Sequence, residues 1–158
     1  MIDETLLSSS NLGFVRVAVV SPELRVADVA FNTGKIEDAM HAASQQGARL
    51  ALFPELCITA YSCGDLFFQP LLLEKARLAL TKLAEETVSA KLAAVVGLPL
   101  AVDGRLYNCA ALIAGGQVCG LVPKSYLPST GEFYEERWFT PAARCSTQSA
   151  PIDVRDIP

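Results

Sequence analysis

The sequence lacks the features that carry several common functions. It has one histidine and no Cys-x-x-Cys spacing, so the usual zinc ligand sets are short of members. It has no run of Lys or Arg. Thirteen basic and 17 acidic residues give a net charge of −4 over 158 residues, which argues against a phosphate-tracking nucleic-acid surface. Neither Gly-x-Gly-x-x-Gly nor Gly-x-x-x-x-Gly-Lys-[Ser/Thr] occurs, so no phosphate-cradling loop is expected. The longest uncharged apolar run, Leu92 to Val102, is far short of the roughly 20 residues a spanning helix needs. No basic residue precedes Arg16, and Asp3 and Glu4 stand where a secretory signal would be basic or apolar. Cys57, Cys63, Cys109, Cys119 and Cys145 are odd in number and irregular in spacing, a poor disulfide framework. The expectation is a cytoplasmic protein with reduced thiols, no metal, and neither a nucleic-acid nor a membrane partner.

What is present suits a packed core: 51% of residues are hydrophobic, 8% aromatic and 19% charged. That composition and length fit one domain or part of a larger one. Residues 1–12 are polar and Ser-rich and read as a loose arm. Phe14 to Val20 is a β-branched run stopped by Ser21-Pro22, hence a strand. Asn32 or Thr33 is the expected cap of a helix whose Ile36, Ala39, Met40 and Ala43 recur at helical spacing, with Gly47 as its stop. Leu50 to Phe53 predicts a second strand, Leu71 to Val88 a second helix, and Ala93 to Gly97 a third strand. Asn108–Ala114 and Val118–Val122 predict two more strands, joined by a Gly115-Gly116 hairpin. Strands alternating with helices place the chain in the α/β class, with a parallel or mixed sheet. After Val122 no regular element is expected. Tyr126, Phe133, Tyr134, Trp138 and Phe139 enrich that stretch in rings, which would either pack on the sheet or face a substrate.

Two charged residues stand at strand ends. Glu55 follows Phe53-Pro54, and the C-termini of parallel strands are where sites are built. A partly desolvated carboxylate there suits a general base, though it would also serve to cap the next turn or pair with a lysine. Lys124 follows Val122-Pro123, where an ammonium would stabilise an oxyanion or hold a carboxylate, or simply end a strand. Glu132, Glu135 and Glu136 read on their own as a solvated face. His41, beside Glu37 and Gln45 on the polar side of the first helix, reads as exposed and structural. Cys57 and Cys63 flank the turn after Glu55 and would line a site there. Cys109 and Cys119 lie in strand patterns and read as core thiols. Cys145 lacks an apolar strand before it and is a poor nucleophile.

The ordered set Leu52-Phe53-Pro54-Glu55-Leu56 with Tyr61, Gly97-Leu98-Pro99, Tyr107-Asn108, and Val122-Pro123-Lys124 resembles the nitrilase, or carbon–nitrogen hydrolase, superfamily. The resemblance covers about residues 14–142. Phe53 to Phe67, Pro123 to Pro128, and Glu132-Phe133-Tyr134-Glu135 are more similar to one branch, the glutaminase domains of glutamine-dependent NAD(+) synthetases. Two departures are mild: Ala60 and Ala142 stand where that pattern commonly has Gly. A third is severe. The family's nucleophilic Cys follows a later apolar strand and precedes Glu or Asp, and nothing after Lys124 gives that pattern.

The resemblance implies an α/β fold that is the N-terminal part of an α-β-β-α nitrilase-like sandwich. It implies a Glu–Lys–Cys triad whose first two members are Glu55 and Lys124. Glu135 matches a further family Glu better than Glu132 or Glu136 does. Tyr61, Tyr126 and Phe133 are implied to line the substrate. Residues 14–158 are then expected to be part of a glutaminase domain behind an arm over residues 1–13, inactive alone and without a cofactor. Glutamine is the implied substrate. A C-terminal synthetase domain using ATP and Mg, and a homo-oligomer, are implied for the intact protein. Two alternatives stay open: a stand-alone amidase or carbamoylase of the same superfamily, and a non-catalytic binding or assembly module whose exposed apolar sheet surface needs a partner.

Overall fold

The structure, a computed structural model, describes residues 13–145, so the expected N-terminal arm lies, but for Gly13, outside the described residues. Strands β1 (Val17–Val19), β2 (Leu50–Leu52), β3 (Ala93–Val102), β4 (Arg105–Ala114) and β5 (Gln117–Pro123) form one sheet in the order β1-β2-β3-β4-β5. β1, β2 and β3 run parallel, joined by α1 (Val29–Gln45) and α2 (Pro70–Ala90). β3, β4 and β5 are antiparallel. The expected mixed α/β sheet is therefore present. Right-handed crossovers between neighbouring parallel strands put both helices on the same face.

That face is the core. Ala51, Ala94, Val96, Ala111 and Ile113 point into it from the strands, and Ile36, Met40, Leu80 and Leu83 from the helices; all are fully buried. Among the described residues no helix covers the opposite face. By register, Val19, Leu52, Val95 and Leu112 form one row across it, and Val19 is 80% exposed. Val17 and Val122 also stand exposed there. One helix layer on one sheet is half of a sandwich. Among the described residues no helix is long and apolar enough to cross a membrane.

Several boundaries differ from expectation. Asp28, not Asn32 or Thr33, caps α1, its Oδ1 accepting from the Phe31 N–H at 3.1 Å. Asn32 is buried instead. Its amide donates to the Arg25 and Ile58 carbonyls at 2.9 and 3.1 Å, stapling α1 to the loop after β2. Gly47 does end α1, with φ +77°. β1 is shorter than the apolar run, because Phe14 and Val15 are exposed at its start. β3 and β4 are longer than expected, because Asp103-Gly104 turns the chain with both φ positive, the geometry of a two-residue hairpin. Gly115 and Gly116 make the second hairpin in the same way, as their spacing indicated. The stretch after Val122 does contain regular structure: a four-residue helix, α3 (Glu135–Trp138), and a 3-10 turn at Ala142–Arg144. A 3-10 segment at Tyr61–Phe68, kinked at Gly64, was also not expected. These pieces are too short to show helical periodicity.

Candidate active site

β2 ends at Leu52, and the ladder continues one step further, from the Phe53 N–H to the Val95 carbonyl at 3.0 Å. Pro54 then starts a tight turn closed by the Cys57 N–H on the Pro54 carbonyl at 3.2 Å, and Glu55 sits inside it. The turn lies directly on β3 at Gly97. A Cβ there would stand 2.3 Å from the Leu56 nitrogen and 2.9 Å from the Pro54 oxygen, so only glycine fits. The Ile58 N–H donates to the Gly97 carbonyl at 3.1 Å, and the Gly97 N–H meets the Cys57 sulfur at 3.3 Å. Leu56 has φ +53°, and Ala60 has φ 67° with ψ 156°, a region otherwise held almost entirely by glycine. Backbone strain is thus concentrated directly after Glu55, at Leu56 within its turn and at Ala60 just beyond it. Ala60 also explains why Gly is the commoner residue of the resembled pattern there.

Lys124 lies one residue beyond β5. Its N–H donates to the Asn108 carbonyl at 2.8 Å, and its own carbonyl accepts from the Ala142 N–H at 2.9 Å. β5 runs in the same direction as β2 and β3, so Glu55 and Lys124 emerge at the same level of the sheet, with Asn108 of β4 between them. The Lys124 ammonium donates to Glu55 Oε1 at 2.8 Å and to both oxygens of Glu135 at 2.9 Å. The Asn108 amide also donates to Glu55 Oε1. Tyr61 donates its hydroxyl to Glu135 Oε1 at 2.6 Å, and the Phe133 ring stands edge-on to Tyr61 at 6.5 Å between centroids.

The two carboxylates are unlike. Glu135 is buried, its side chain 2% exposed, and both its oxygens are occupied. The Glu55 side chain is 40% exposed, and among the described residues its Oε2 accepts no hydrogen bond. Glu55 therefore has an oxygen able to take a proton, whereas Glu135 is arranged to fix Lys124. Burial alone would lower the Lys124 pKa, but the hydrogen bonds it donates to Glu55 and Glu135, and their negative charges, outweigh it and hold the ammonium above its usual range. The Tyr61 phenol is pushed well above its usual range, first by burial, then by its bond to Glu135 and the negative charges of Glu135, Glu55 and Glu132. Lys124 stays a cation and Tyr61 a neutral donor at any physiological pH.

An open cleft of about 430 Å³ lies over this cluster, with Glu55, Asn108 and Lys124 on its polar side and Leu52, Val95 and Val122 of the open sheet face on the other. It suits a small molecule with one polar end.

The structure brings Glu55, Lys124, Glu135, Tyr61 and Phe133 together. Tyr126 it does not: that ring is 90% exposed. Asn108, noted in the sequence only as part of Tyr107-Asn108, is a direct partner of Glu55 that no spacing signal isolates. Cys57 and Cys63 do not line the cleft. Both are buried, and burial pushes the Cys57 thiol up to about 11 and raises Cys63 as well. Cys109 is a core thiol, pushed up to about 12 by burial. Cys119 is not. It is exposed in the first half of β5, at the register shift between the Ile113–Val118 and Leu112–Gly120 pairs. His41 is exposed and bonds Glu86 of α2 at 2.6 Å. Among the described residues no three His, Cys, Asp or Glu side chains group to hold a metal.

The sequence profile of the carbon-nitrogen hydrolase family matches residues 16–157. A glutamine-dependent NAD(+) synthetase from Mycobacterium tuberculosis (strain ATCC 25618 / H37Rv) is 43% identical over 134 residues, 85% of this chain and 20% of that protein. The Homo sapiens glutamine-dependent NAD(+) synthetase is 31% identical over 130 residues, 82% of this chain and 18% of that protein. The chain thus spans about a fifth of the length of these relatives. Among solved structures, a glutamine-dependent NAD(+) synthetase from Cytophaga hutchinsonii superposes with TM-score 0.77 at 32% identity, over 80% of this chain and 22% of that one. An amidase from Nesterenkonia sp. superposes with TM-score 0.69 at 28% identity, over 80% and 48% respectively.

Proposed function

The chain belongs to the carbon-nitrogen hydrolase family, and from that premise we propose that it supplies the base and oxyanion-binding half of a glutamine-hydrolysing site. The observation that carries this reading is the asymmetry of the two carboxylates around Lys124: one saturated and buried, one with a free oxygen facing a cleft. The nitrogen released would serve an ATP-dependent synthetase domain of a longer protein, with Mg, amidating nicotinic acid adenine dinucleotide. The synthetases among its relatives support that finer reading, and the Nesterenkonia amidase supports the amide class of the substrate.

Glu55 takes the proton of a thiol through Oε2. The thiolate adds to the carboxamide carbon of glutamine, and the carbonyl oxygen becomes an oxyanion facing Lys124. As the adduct collapses, Glu55 returns the proton to the departing nitrogen and ammonia leaves. Glu55 then takes a proton from water, hydroxide adds to the thioester carbon, and the thiol is expelled with its proton as glutamate forms. Glu135 and Tyr61 hold Lys124 on the oxyanion side throughout. Cys57, Cys63 and Cys109 are buried, and a raised thiol pKa opposes thiolate formation, so the nucleophile is supplied by residues other than these. The 158-residue chain should therefore release no ammonia from glutamine in a coupled glutamate dehydrogenase assay. Turnover that disappears on Cys57→Ala or Cys63→Ala would overturn this assignment of the nucleophile.

A further inference from the structure

Glu135 is a demanding residue to place. It belongs to a helix of four residues, far too short to be stable by itself. Its backbone makes few anchoring bonds: its N–H donates to the Pro128 carbonyl at 3.1 Å, and its carbonyl accepts from the Phe139 N–H at 2.8 Å. Yet Glu135 must present both oxygens to Lys124 and one of them to Tyr61. Something else fixes α3 against the Tyr61–Phe68 segment.

That something is on the outer side of the same two segments. Asp65, four residues after Tyr61, accepts three hydrogen bonds from α3. Arg137 Nε donates to Oδ1 at 2.7 Å and Arg137 Nη2 to Oδ2 at 2.8 Å, a two-pronged guanidinium–carboxylate pair. The Trp138 indole N–H donates to Oδ1 at 2.9 Å. Beneath them the Phe67 ring meets Trp138 and Phe139 at 6.0 and 5.0 Å between centroids. Arg137 and Trp138 hold the Asp65 carboxyl well below the usual aspartate range, so it stays an acceptor. Each segment thus contributes to both the cluster and the clamp: Tyr61 and Asp65 from one, Glu135 with Arg137 and Trp138 from the other.

We propose that Asp65 is a positioning residue for the Glu55–Lys124–Glu135 cluster, acting through Arg137 and Trp138 to hold Glu135 against Tyr61 and Lys124. Asp65 touches neither the cleft nor any member of the cluster, and the pair it makes is largely exposed. An exposed ion pair is ordinarily worth little to stability. Its role here is registration: it joins two short irregular segments whose inner faces carry groups that must meet within hydrogen-bond distance. The inference deepens the proposed function but rests on geometry that exists whether or not the chain hydrolyses an amide.

The test uses the 158-residue chain and needs no activity. Three hydrogen bonds protect the Lys124 ammonium, so its protons should exchange slowly enough with water to be seen by lysine side-chain ammonium NMR at neutral pH, assigned by loss in Lys124→Arg. Asp65→Ala should speed that exchange by about tenfold as the cluster opens more often, and should shift the single Trp indole resonance. Trp138→Phe, which keeps a ring on Phe67 but removes the indole donor, should give a smaller change in the same direction. Asp65→Glu, which keeps the carboxylate, should partly restore the wild-type exchange. Glu74→Ala, which removes a Glu74–Arg77 pair on α2, should leave Lys124 unchanged. An unchanged Lys124 signal in Asp65→Ala, in a protein that is folded and has a shifted indole resonance, would overturn the proposal. If Asp65→Ala does not fold, an unchanged signal in Trp138→Phe would do so. Neither result bears on glutamine hydrolysis, so failure of this inference and failure of the proposed function are distinguishable.

Discussion

The two carboxylates of the cluster are placed by opposite means. Glu55 is set by backbone: a turn at the end of a strand, pressed on Gly97, with positive-φ residues at Leu56 and Ala60 directly after it. Glu135 is set by side chains: a four-residue helix held by Tyr61 and Lys124 within and by Asp65 without. A base that must exchange protons needs a fixed position and a free oxygen, and a backbone turn gives both. A carboxylate whose role is to hold a lysine can use up its own oxygens in doing so.

The contrast predicts unequal responses to substitution. Gly97→Ala should have the largest effect, because the new Cβ meets backbone rather than a flexible side chain. We expect a loss of about 3 kcal/mol in urea unfolding, together with displacement of Glu55. Glu135→Ala should cost less, about 2 kcal/mol, since Lys124 keeps Glu55 and some access to water once its buried partner is gone. Ala60→Gly should act the other way and stabilise by about 1 kcal/mol by relieving the backbone at φ 67°. A stabilisation by Ala60→Gly equal to zero would mean that the turn carries no strain at that position.

The smallest effect is the acid response of the clamp. A carboxyl whose folded pKa is depressed contributes above its unfolded value and loses that contribution as pH falls through its folded one. The Trp138 indole resonance should therefore be constant from neutral pH to about pH 4, near the ordinary aspartate pKa, and shift only in stronger acid. A midpoint near pH 4 or above would show that Arg137 and Trp138 do not hold Asp65 in solution.

The same division governs what could be read in the sequence. The strands, both long helices, the Gly115-Gly116 hairpin and the position of Glu55 follow from apolar periodicity and from Pro and Gly, which act over neighbouring residues. Lys124 was legible because it directly follows a strand. The role of Glu135 came only through resemblance, since three glutamates stand close together and nothing local separates them. The structure does separate them: Glu135 is buried, while Glu132 and Glu136 are exposed. Asn108 and Asp65 were not singled out, because their partners lie 53 and 72 residues away. Cys119 was misplaced because β5 does not alternate regularly: a register shift against Leu112 and Ile113 leaves Cys119 without a pairing partner and exposed, although Leu121, two residues on, packs against the core.

The central claim is that Glu55 is the proton-transfer group of a glutamine-hydrolysing site. It is tested most directly by Glu55→Gln, an isosteric change that leaves Lys124 and Asn108 a partner, made in a protein that joins this chain to the proposed synthetase domain, with NAD formation measured from glutamine and, separately, from ammonia. The account predicts that glutamine-driven formation falls by about 10² to 10⁴-fold, while ammonia-driven formation is nearly unchanged. Equal loss with both nitrogen sources, or no loss with glutamine, would contradict it.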